Sequence, residues 1–239
     1  MLEVFALTDP GRVRQSNQDS FRIAGDLGLY MLADGMGGAR GGARASTLAV
    51  ETVQAALARS PHRDAAALLG AVEEANERVL TEASGDPNLE GMGTTIVAAL
   101  ETKKNDIAIA SVGDSRAYVL HGGELRAVTQ DQTWVQEVGR GLGLDEASLR
   151  THPMRHVLTM AVGVGSAVRI LYYAVELEPG DLLLLTTDGL HGVVSESQIR
   201  AILTQPGISL ETRCERLMLA AHEAGSPDNV TVMLLRPAA

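Results

Sequence analysis

Five aspartates stand at the borders of strongly apolar stretches of this chain. Asp34 ends the run LYMLAD, Asp114 ends IAIASVGD and Asp188 ends LLLLTTD, while Asp19 and Asp228 lie just before two further apolar stretches. Asp-Gly and Asp-Asn pairs are common in turns, so any one of these residues alone predicts only a turn. If the apolar stretches become neighbouring strands, however, the five carboxylates converge on one edge of the core.

Converging carboxylates repel one another, so they either take up protons or bind a cation. Oxygen ligands without nearby His or Cys favour hard ions such as Mg²⁺ or Mn²⁺. Two ions that share a carboxylate lie about 3.5–4 Å apart, and together they can activate a water and neutralise a phosphoryl group. Arg14 precedes Asp19 by a short polar stretch. Its guanidinium could bind phosphate oxygens in a bidentate manner, although for any one arginine in isolation an ordinary surface residue is the better interpretation.

The hydrophobic pattern predicts the elements that must position these residues. Alternating or continuous apolar runs predict strands over 3–9, 20–25, 27–38, 91–101, 106–114, 115–123, 124–130, 167–177, 181–189 and 229–235. Helical spacing appears at 45–57, 68–80 and 210–221. Ser60-Pro61 predicts the start of the second helix. Ser195 and Gln198 have capping-box spacing for a short helix at about 196–204.

Connections between successive predicted strands are short, which favours antiparallel pairing. Helices are grouped rather than alternating with strands, so we expect an α+β fold with sheets covered by helices. Residues 131–166 have weak periodicity and predict an irregular insertion packed on the edge of the core. No internal repeat or low-complexity linker divides the sequence.

Composition excludes several function classes. The net charge is −10 and aromatic residues make up only 3%, so we expect neither nucleic acid nor an anionic membrane as a partner. The single cysteine, Cys214, cannot form an intramolecular disulfide and fits a reducing compartment. The N-terminus does not have the pattern of a signal peptide, and no apolar run approaches the length of a membrane span. These features favour a cytoplasmic protein.

Seven motifs then identify a family. In this order and spacing, the sequence resembles the metal-dependent Ser/Thr protein phosphatases of type 2C, especially the compact bacterial members. The resemblance covers nearly the whole chain and rests on GRVRQSNQDSF, ADGMGG, GMGTT, SVGDSRAYVL, LTMAVG, LLLLTTDGLHGVV and SPDNVTVML.

The resemblance implies a fold and an activity. The fold is a four-layer α-β-β-α sandwich with two central antiparallel sheets, formed by one domain over 1–239, and residues 131–166 correspond to a flap beside the cleft. The activity is hydrolysis of phosphoserine and phosphothreonine by direct attack of a metal-activated water, with Mg²⁺ or Mn²⁺ as cofactor. The implied substrates are phosphorylated proteins, and bacterial relatives suggest a Ser/Thr kinase and its targets. We expect a monomer.

The resemblance also implies the role of each site residue. Asp34 bridges two ions, Gly35 offers its backbone carbonyl to one of them, and Asp188 and Asp228 complete the shell of the other. Asp19 holds metal-bound waters. Arg14 binds the substrate phosphate, Gln18 makes a water-mediated metal contact, and Asp114 corresponds to a ligand of a third, weaker ion.

Several positions depart from the family pattern. Gln18 replaces a common Glu, and Met36 stands where eukaryotic members have a histidine proposed as general acid, so the leaving group must obtain its proton elsewhere. Gly192 stands where some members have another aspartate for the third ion, which leaves that ion's occupancy open. Met160 replaces a usual arginine in the flap.

Other chemistry-bearing residues have simpler interpretations. Cys214 lies on the apolar face of the last helix and has no C-x5-R arrangement, so we expect it to pack in the core. His152 and His156 have i, i+4 spacing, but Pro153 interrupts the helix that a zinc site would need. For His191, next to Asp188, a local polar contact or exposure is expected rather than metal binding.

Two alternatives remain open. The departures at Gln18 and Gly192 would fit a catalytically silent module that binds phosphorylated partners on the same fold. A phosphotransferase with an aspartate nucleophile is the other, but such enzymes typically need a second aspartate two residues after the first, and LADGMGG and LTTDGL lack it.

Overall fold

A computed structural model describes residues 2–238, so the first and last positions of the predicted 1–239 domain lie outside the described residues. Within this range the strands are β1 Leu2–Asp9, β2 Asp19–Ala24, β3 Leu29–Met36, β4 Gly93–Thr94, β5 Ile96–Lys103, β6 Asp106–Val112, β7 Arg116–His121, β8 Glu124–Ala127, β9 Leu171–Glu176, β10 Leu182–Thr186 and β11 Val230–Pro237. The helices are α1 Gly38–Arg59, α2 Ala65–Gly85, α3 Glu146–Thr151, α4 Asp188–His191, α5 Glu196–Leu203 and α6 Leu210–Glu223. A 3₁₀ turn at Pro87–Leu89 and a π-helical turn at Val135–Gly139 complete the list.

The strands form two antiparallel sheets, as the short connections predicted. One sheet has the order β1-β11-β10-β7-β8, and the other has the order β2-β3-β5-β6-β9 with β4 beside β3. The Gly122-Gly123 hairpin turn between β7 and β8 has positive φ at both glycines, the conformation that glycine tolerates best.

Strand β10 shows how the layers are built. Leu183 and Leu185 belong to the core between the two sheets, whereas Leu182 and Leu184 face the helices on the outer side. All four leucines are buried, because a strand in the middle of a sandwich is covered on both faces. The leucine run that precedes Asp188 is therefore explained by burial on both sides.

The two helical layers cover opposite outer faces. Helices α1 and α2 pack on the β3-β5-β6 sheet through one apolar cluster, and α4, α5 and α6 pack on the β7-β10-β11 sheet through another. The result is the α-β-β-α sandwich that the resemblance implied. Among residues 2–238, no helix is long and apolar enough to cross a bilayer.

Helix boundaries test the capping signals. The capping box of Ser195 and Gln198 is present at the start of α5, which confirms that prediction. The predicted helix start at Ser60-Pro61 is wrong, since Ser60 ends α1 by donating its N–H to the carbonyls of Ala56 and Leu57. Helix α2 begins after Asp64, whose carboxylate accepts a hydrogen bond from the Ala67 N–H at 2.9 Å.

Candidate active site

The five aspartates that the sequence singled out lie at one edge of the sandwich. Asp34 near the end of β3 is paired in register with Asp19 at the start of β2. Asp188 follows β10, and Asp228 precedes β11, its antiparallel neighbour. Four of these residues, Asp34, Asp114, Asp188 and Asp228, line a cleft of about 760 Å³, whereas Asp19 is not among its lining residues.

Burial and mutual repulsion disfavour the charged form of these carboxylates when no cation is bound. Burial raises the pKa of Asp34 well above its usual value, and the charges of Asp19 and Asp188 raise it further. Burial also raises the pKa of Asp114 to about 8, and the charge of Asp188 adds to the effect. The pKa of Asp188 is raised by burial and by Asp228. Without a cation, these carboxyl groups hold protons at pH values where exposed aspartates are ionised.

Asp19 links the two sheets at the back of the cluster. Its Oδ2 accepts hydrogen bonds from Thr187 Oγ1 at 3.0 Å and from Thr231 Oγ1 at 2.6 Å. Burial raises its pKa to about 7, and the two threonine hydrogen bonds oppose that rise. The sequence contained no signal for these threonines, because each lies inside or next to an apolar strand.

The cluster fits a divalent cation. Within residues 2–238, Asp19 Oδ1 and Asp188 Oδ1 are buried and have no hydrogen-bond partner. No group of three or more His, Cys, Asp or Glu side chains among these residues is arranged to hold an ion by itself. The unpartnered oxygens of Asp19 and Asp188 agree with Mg²⁺ or Mn²⁺ chemistry, in which one or two carboxylates per ion are supplemented by waters and backbone carbonyls.

Gly35 and Gly42 bring the backbone of α1 against the end of β3. A Cβ at Gly35 would lie 2.0 Å from the Gly42 carbonyl oxygen, and a Cβ at Gly42 would lie 2.1 Å from Gln18 Oε1. Only glycine permits this approach. The glycines of the GMGGARGGARAS segment therefore permit a close backbone contact.

Gln18 lies beside the backbone that the sequence marked as a metal ligand. Together with Gly35, it lines a smaller cavity of about 270 Å³ that adjoins Asp34 and Asp228. With the amide turned to satisfy its neighbours, the Gln18 nitrogen donates to the carbonyl oxygens of Gly35 and Gly38, each at 3.2 Å. A glutamate at this position could not make these two bonds.

Arg14 reaches into the cleft from the loop between β1 and β2. Its guanidinium donates to Asp228 Oδ2 at 2.7 Å, and this bond and charge raise the Arg14 pKa. The loop is held by Asn229, whose side chain donates to the carbonyls of Pro10 at 2.9 Å and Ser16 at 3.0 Å. The sequence analysis did not identify Asn229, because an Asp-Asn pair is typical of an ordinary turn.

Gln132 fastens the base of the 131–166 segment to the site. Its Oε1 accepts from the Gly113 N–H at 2.8 Å, one residue before Asp114, and its Nε2 donates to the Arg169 carbonyl at 2.8 Å. Its own carbonyl accepts from the Thr159 N–H at 2.9 Å. Arg155, His156 and Leu158 from the same segment line the cleft.

The remaining candidates from the sequence, Cys214, His191 and Gly192, have three different environments. Cys214 is buried in the helix-facing core and its pKa is raised to about 12 by burial, so the prediction that it packs is confirmed. The expected local polar contact or exposure of His191 is wrong, because its Nδ1 is buried without a hydrogen-bond partner among the described residues. His191 is not among the residues that line the cleft, and burial lowers its pKa well below the usual value. A Cβ at Gly192 would lie 2.6 Å from the Asp188 carbonyl oxygen, so glycine is sterically required in this turn.

Comparison with known proteins agrees with the geometry. The family model described as protein phosphatase 2C matches residues 11–216. A relative from Listeria welshimeri, named serine/threonine phosphatase stp, is 34% identical over 95% of this chain and 93% of its own length. The crystal structure of the Mycobacterium tuberculosis serine/threonine phosphatase PstP/Ppp matches with a TM-score of 0.90 and 34% identity, over 100% of this chain and 99% of that one. A structure of the PstP catalytic domain in complex with two manganese ions matches with a TM-score of 0.87 and 33% identity, over 98% and 97% of the two chains.

Proposed function

This chain belongs to the protein phosphatase 2C family and is a metal-dependent serine/threonine phosphatase, and we propose that the aspartate cluster is its catalytic centre. The observation that supports this most directly is the convergence of Asp34, Asp188 and Asp228 with Arg14 on one cleft. Burial and neighbouring carboxylates raise the pKa values of Asp34 and Asp188. A bound cation would favour the charged form of both carboxylates.

Two ions, Mg²⁺ or Mn²⁺, would be held by Asp34, the Gly35 carbonyl, Asp188 and Asp228. Asp19 and Gln18 would act through water, and Asp114 would serve a third ion. When bound, the ions would activate the attacking water and neutralise charge on the phosphoryl group. The buried, unpartnered oxygens of Asp19 and Asp188 support this assignment.

The protein's own groups bind and orient the substrate. Arg14 is half exposed at the cleft, and Asp228 occupies only one of its donor positions in the described contacts. Its remaining N–H groups can therefore bind phosphate oxygens while Asp228 keeps the guanidinium in place. Thr187 and Thr231 orient the Asp19 carboxylate from behind.

We further propose that the substrates are phosphorylated proteins, including a Ser/Thr kinase and its targets. The name of the Listeria relative supports the phosphoserine and phosphothreonine part of this proposal. We also propose a cytoplasmic monomer whose single domain spans 1–239, with 131–166 as a flap. The cleft position of Arg155, His156 and Leu158 supports a flap that contacts substrate.

The test is hydrolysis of a phosphothreonine peptide and of p-nitrophenyl phosphate as Mn²⁺ and Mg²⁺ are titrated. Asp34→Asn should lower turnover at least about a hundredfold, since a lost metal ligand removes several kcal/mol of transition-state stabilisation. Asp26→Asn is the matched control, because Asp26 is exposed at a turn away from the cleft. Phosphopeptide binding without metal-dependent phosphate release would instead support the silent-module alternative.

Arg14→Gln should raise KM for the phosphopeptide about tenfold or more, because a charge-assisted contact of this kind contributes at least about 1.4 kcal/mol. Arg12→Gln in the same exposed loop is the control. Equal effects of the two substitutions would contradict the proposed contact between Arg14 and phosphate.

A further inference from the structure

Two histidines of the 131–166 segment have different surroundings. The His152 ring stacks on Trp134 with a centroid distance of 4.4 Å and an interplanar angle of 12°. His156, four residues later, lines the catalytic cleft with Asp34 and Asp188. The pair that resembled a zinc motif in sequence therefore divides into a packing residue and a cleft residue.

The reaction needs a proton donor for its leaving group, and the other cleft residues do not supply one. Cleavage of a phosphoserine or phosphothreonine ester releases a strongly basic alkoxide, which needs a proton. Arg14 and Arg155 do not release theirs at ordinary pH, and the cleft aspartates are assigned to cations. Met36, which also lines the cleft, has no proton to donate. Histidine is the side chain suited to proton transfer near neutral pH.

Geometry favours His156 for this task. In an in-line displacement the attacking water and the leaving oxygen lie on opposite sides of phosphorus. Under the proposed function the water approaches from the aspartate cluster, so the leaving oxygen lies away from it in the same cleft, which His156 also lines. His156 is exposed, and among the described side chains none forms a hydrogen bond with its ring, so its nitrogens are available to a substrate.

The charges around His156 are those of the cleft. His156 is close enough to Asp188 for its positive form to lower the Asp188 pKa. Charged groups that share the cleft with it are Arg155 from its own segment and, from the other elements, Arg14, Asp34, Asp114, Asp188 and Asp228.

We propose that His156 is the general acid of this phosphatase. As water forms its bond to phosphorus and loses a proton to solvent, the bond from phosphorus to the serine or threonine oxygen breaks. The electron pair stays on that oxygen, which takes the imidazolium proton, and the neutral ring regains a proton from solvent. This inference rests on the proposed function and adds to it a proton donor outside the aspartate cluster.

Leaving-group dependence tests the proposal. p-Nitrophenolate is a stable anion and leaves without a proton, whereas threonine alkoxide does not. His156→Asn should therefore lower kcat for a phosphothreonine peptide about 10²–10⁴-fold, the usual contribution of general acid catalysis. It should leave p-nitrophenyl phosphate hydrolysis within about twofold, and across a series of aryl phosphates the rate should depend more steeply on leaving-group acidity. The fall in peptide kcat of the wild-type enzyme at high pH should disappear in the variant.

Controls separate this proposal from its premise. Thermal melting with and without Mn²⁺ should be the same for His156→Asn and wild type, since His156 is exposed and no metal ligand is changed. His152→Asn should not reproduce the substrate-selective loss. Equal losses on both substrates, an unchanged peptide rate, or the same selectivity in His152→Asn would overturn the role of His156. Failure of the wild-type enzyme to hydrolyse either substrate would overturn the proposed function itself.

Discussion

Thr231 and Asp19 belong to different sheets, and the Thr231 hydroxyl donates to Asp19 Oδ2 at 2.6 Å across the interface between them. Thr187 adds a second hydrogen bond at 3.0 Å to the same oxygen. The free oxygen, Oδ1, is consequently directed to one place and has no partner there among residues 2–238. The orientation of this carboxylate thus depends on the packing of one sheet on the other.

Thr231→Val should lower the free energy of unfolding by about 1–3 kcal/mol, because a buried carboxylate loses a donor. It should also reduce the rise in melting temperature that Mn²⁺ produces, since Asp19 is less well oriented. Thr186→Val is the control, because the Thr186 hydroxyl donates to the backbone carbonyls of Thr187 and Thr231 and not to Asp19. A similar loss of the Mn²⁺ response in both variants would contradict the role assigned to Asp19.

The stability of the metal-free protein should fall as pH rises from about 4 to about 8. The pKa of Asp114 is raised to about 8, so the folded protein keeps a proton in this range that the unfolded chain releases. Asp114→Asn cannot release that proton. Urea unfolding in the presence of a chelator should show the variant and the wild type alike near pH 4 and the variant more stable above about pH 8.

The Asp114 comparison has an internal control. Mn²⁺ should raise wild-type stability most at high pH, where the carboxylates are ionised and a cation relieves their repulsion. If the gap between the two proteins does not change with pH, the Asp114 carboxyl group is not buried as described.

Gln18→Glu should destabilise the metal-free protein and strengthen its response to metal. The substitution removes an amide nitrogen that donates to the carbonyls of Gly35 and Gly38, and it places a carboxylate against those oxygens. With metal present, the added charge favours cation binding. Gln15→Glu adds the same charge at an exposed position of the same loop and serves as the control. Melting curves across an Mn²⁺ titration would distinguish the two variants.

Gly192→Asp should lower metal-dependent turnover instead of creating a better third site. Any Cβ at this position approaches the Asp188 carbonyl oxygen to 2.6 Å, so the turn that holds Asp188 must shift. Gly192→Ala should therefore show most of the same loss. Higher activity in the aspartate variant, with the alanine variant unchanged, would contradict this steric explanation.

The parts of the site that could be predicted from sequence are those that combine an unusual residue with a strong local pattern. A carboxylate directly after an apolar strand is such a combination, and it located Asp34, Asp114 and Asp188 at the edge of the sandwich. The family motifs added Arg14 and Gly35. The two-sheet architecture followed from short connections and from helices that were grouped along the chain.

What the sequence did not reveal depends on distant contacts. Thr231 meets Asp19 across 212 positions, and Thr187 meets it across 168, so no local pattern marks either threonine. Asn229 and Gln132 act through backbone groups of other segments and look like ordinary polar residues. The error at Ser60 has a local cause, since Ser60 and Asp64 both carry a helix-start signal and only the packing of α2 selects between them.

The hydrogen bonds of Gln132 have a consequence for how the substrate preference of this enzyme can change. Its bonds to Gly113, Arg169 and Thr159 close the base of the flap-like segment independently of the residues further out. Positions from 134 to 154 can then be exchanged for other sequences while the loop that presents Asp114 keeps its place and His156 is retained. Substrate preference and hydrolytic chemistry can therefore change independently. Grafting these positions from a relative should transfer substrate preference without altering the aspartate cluster.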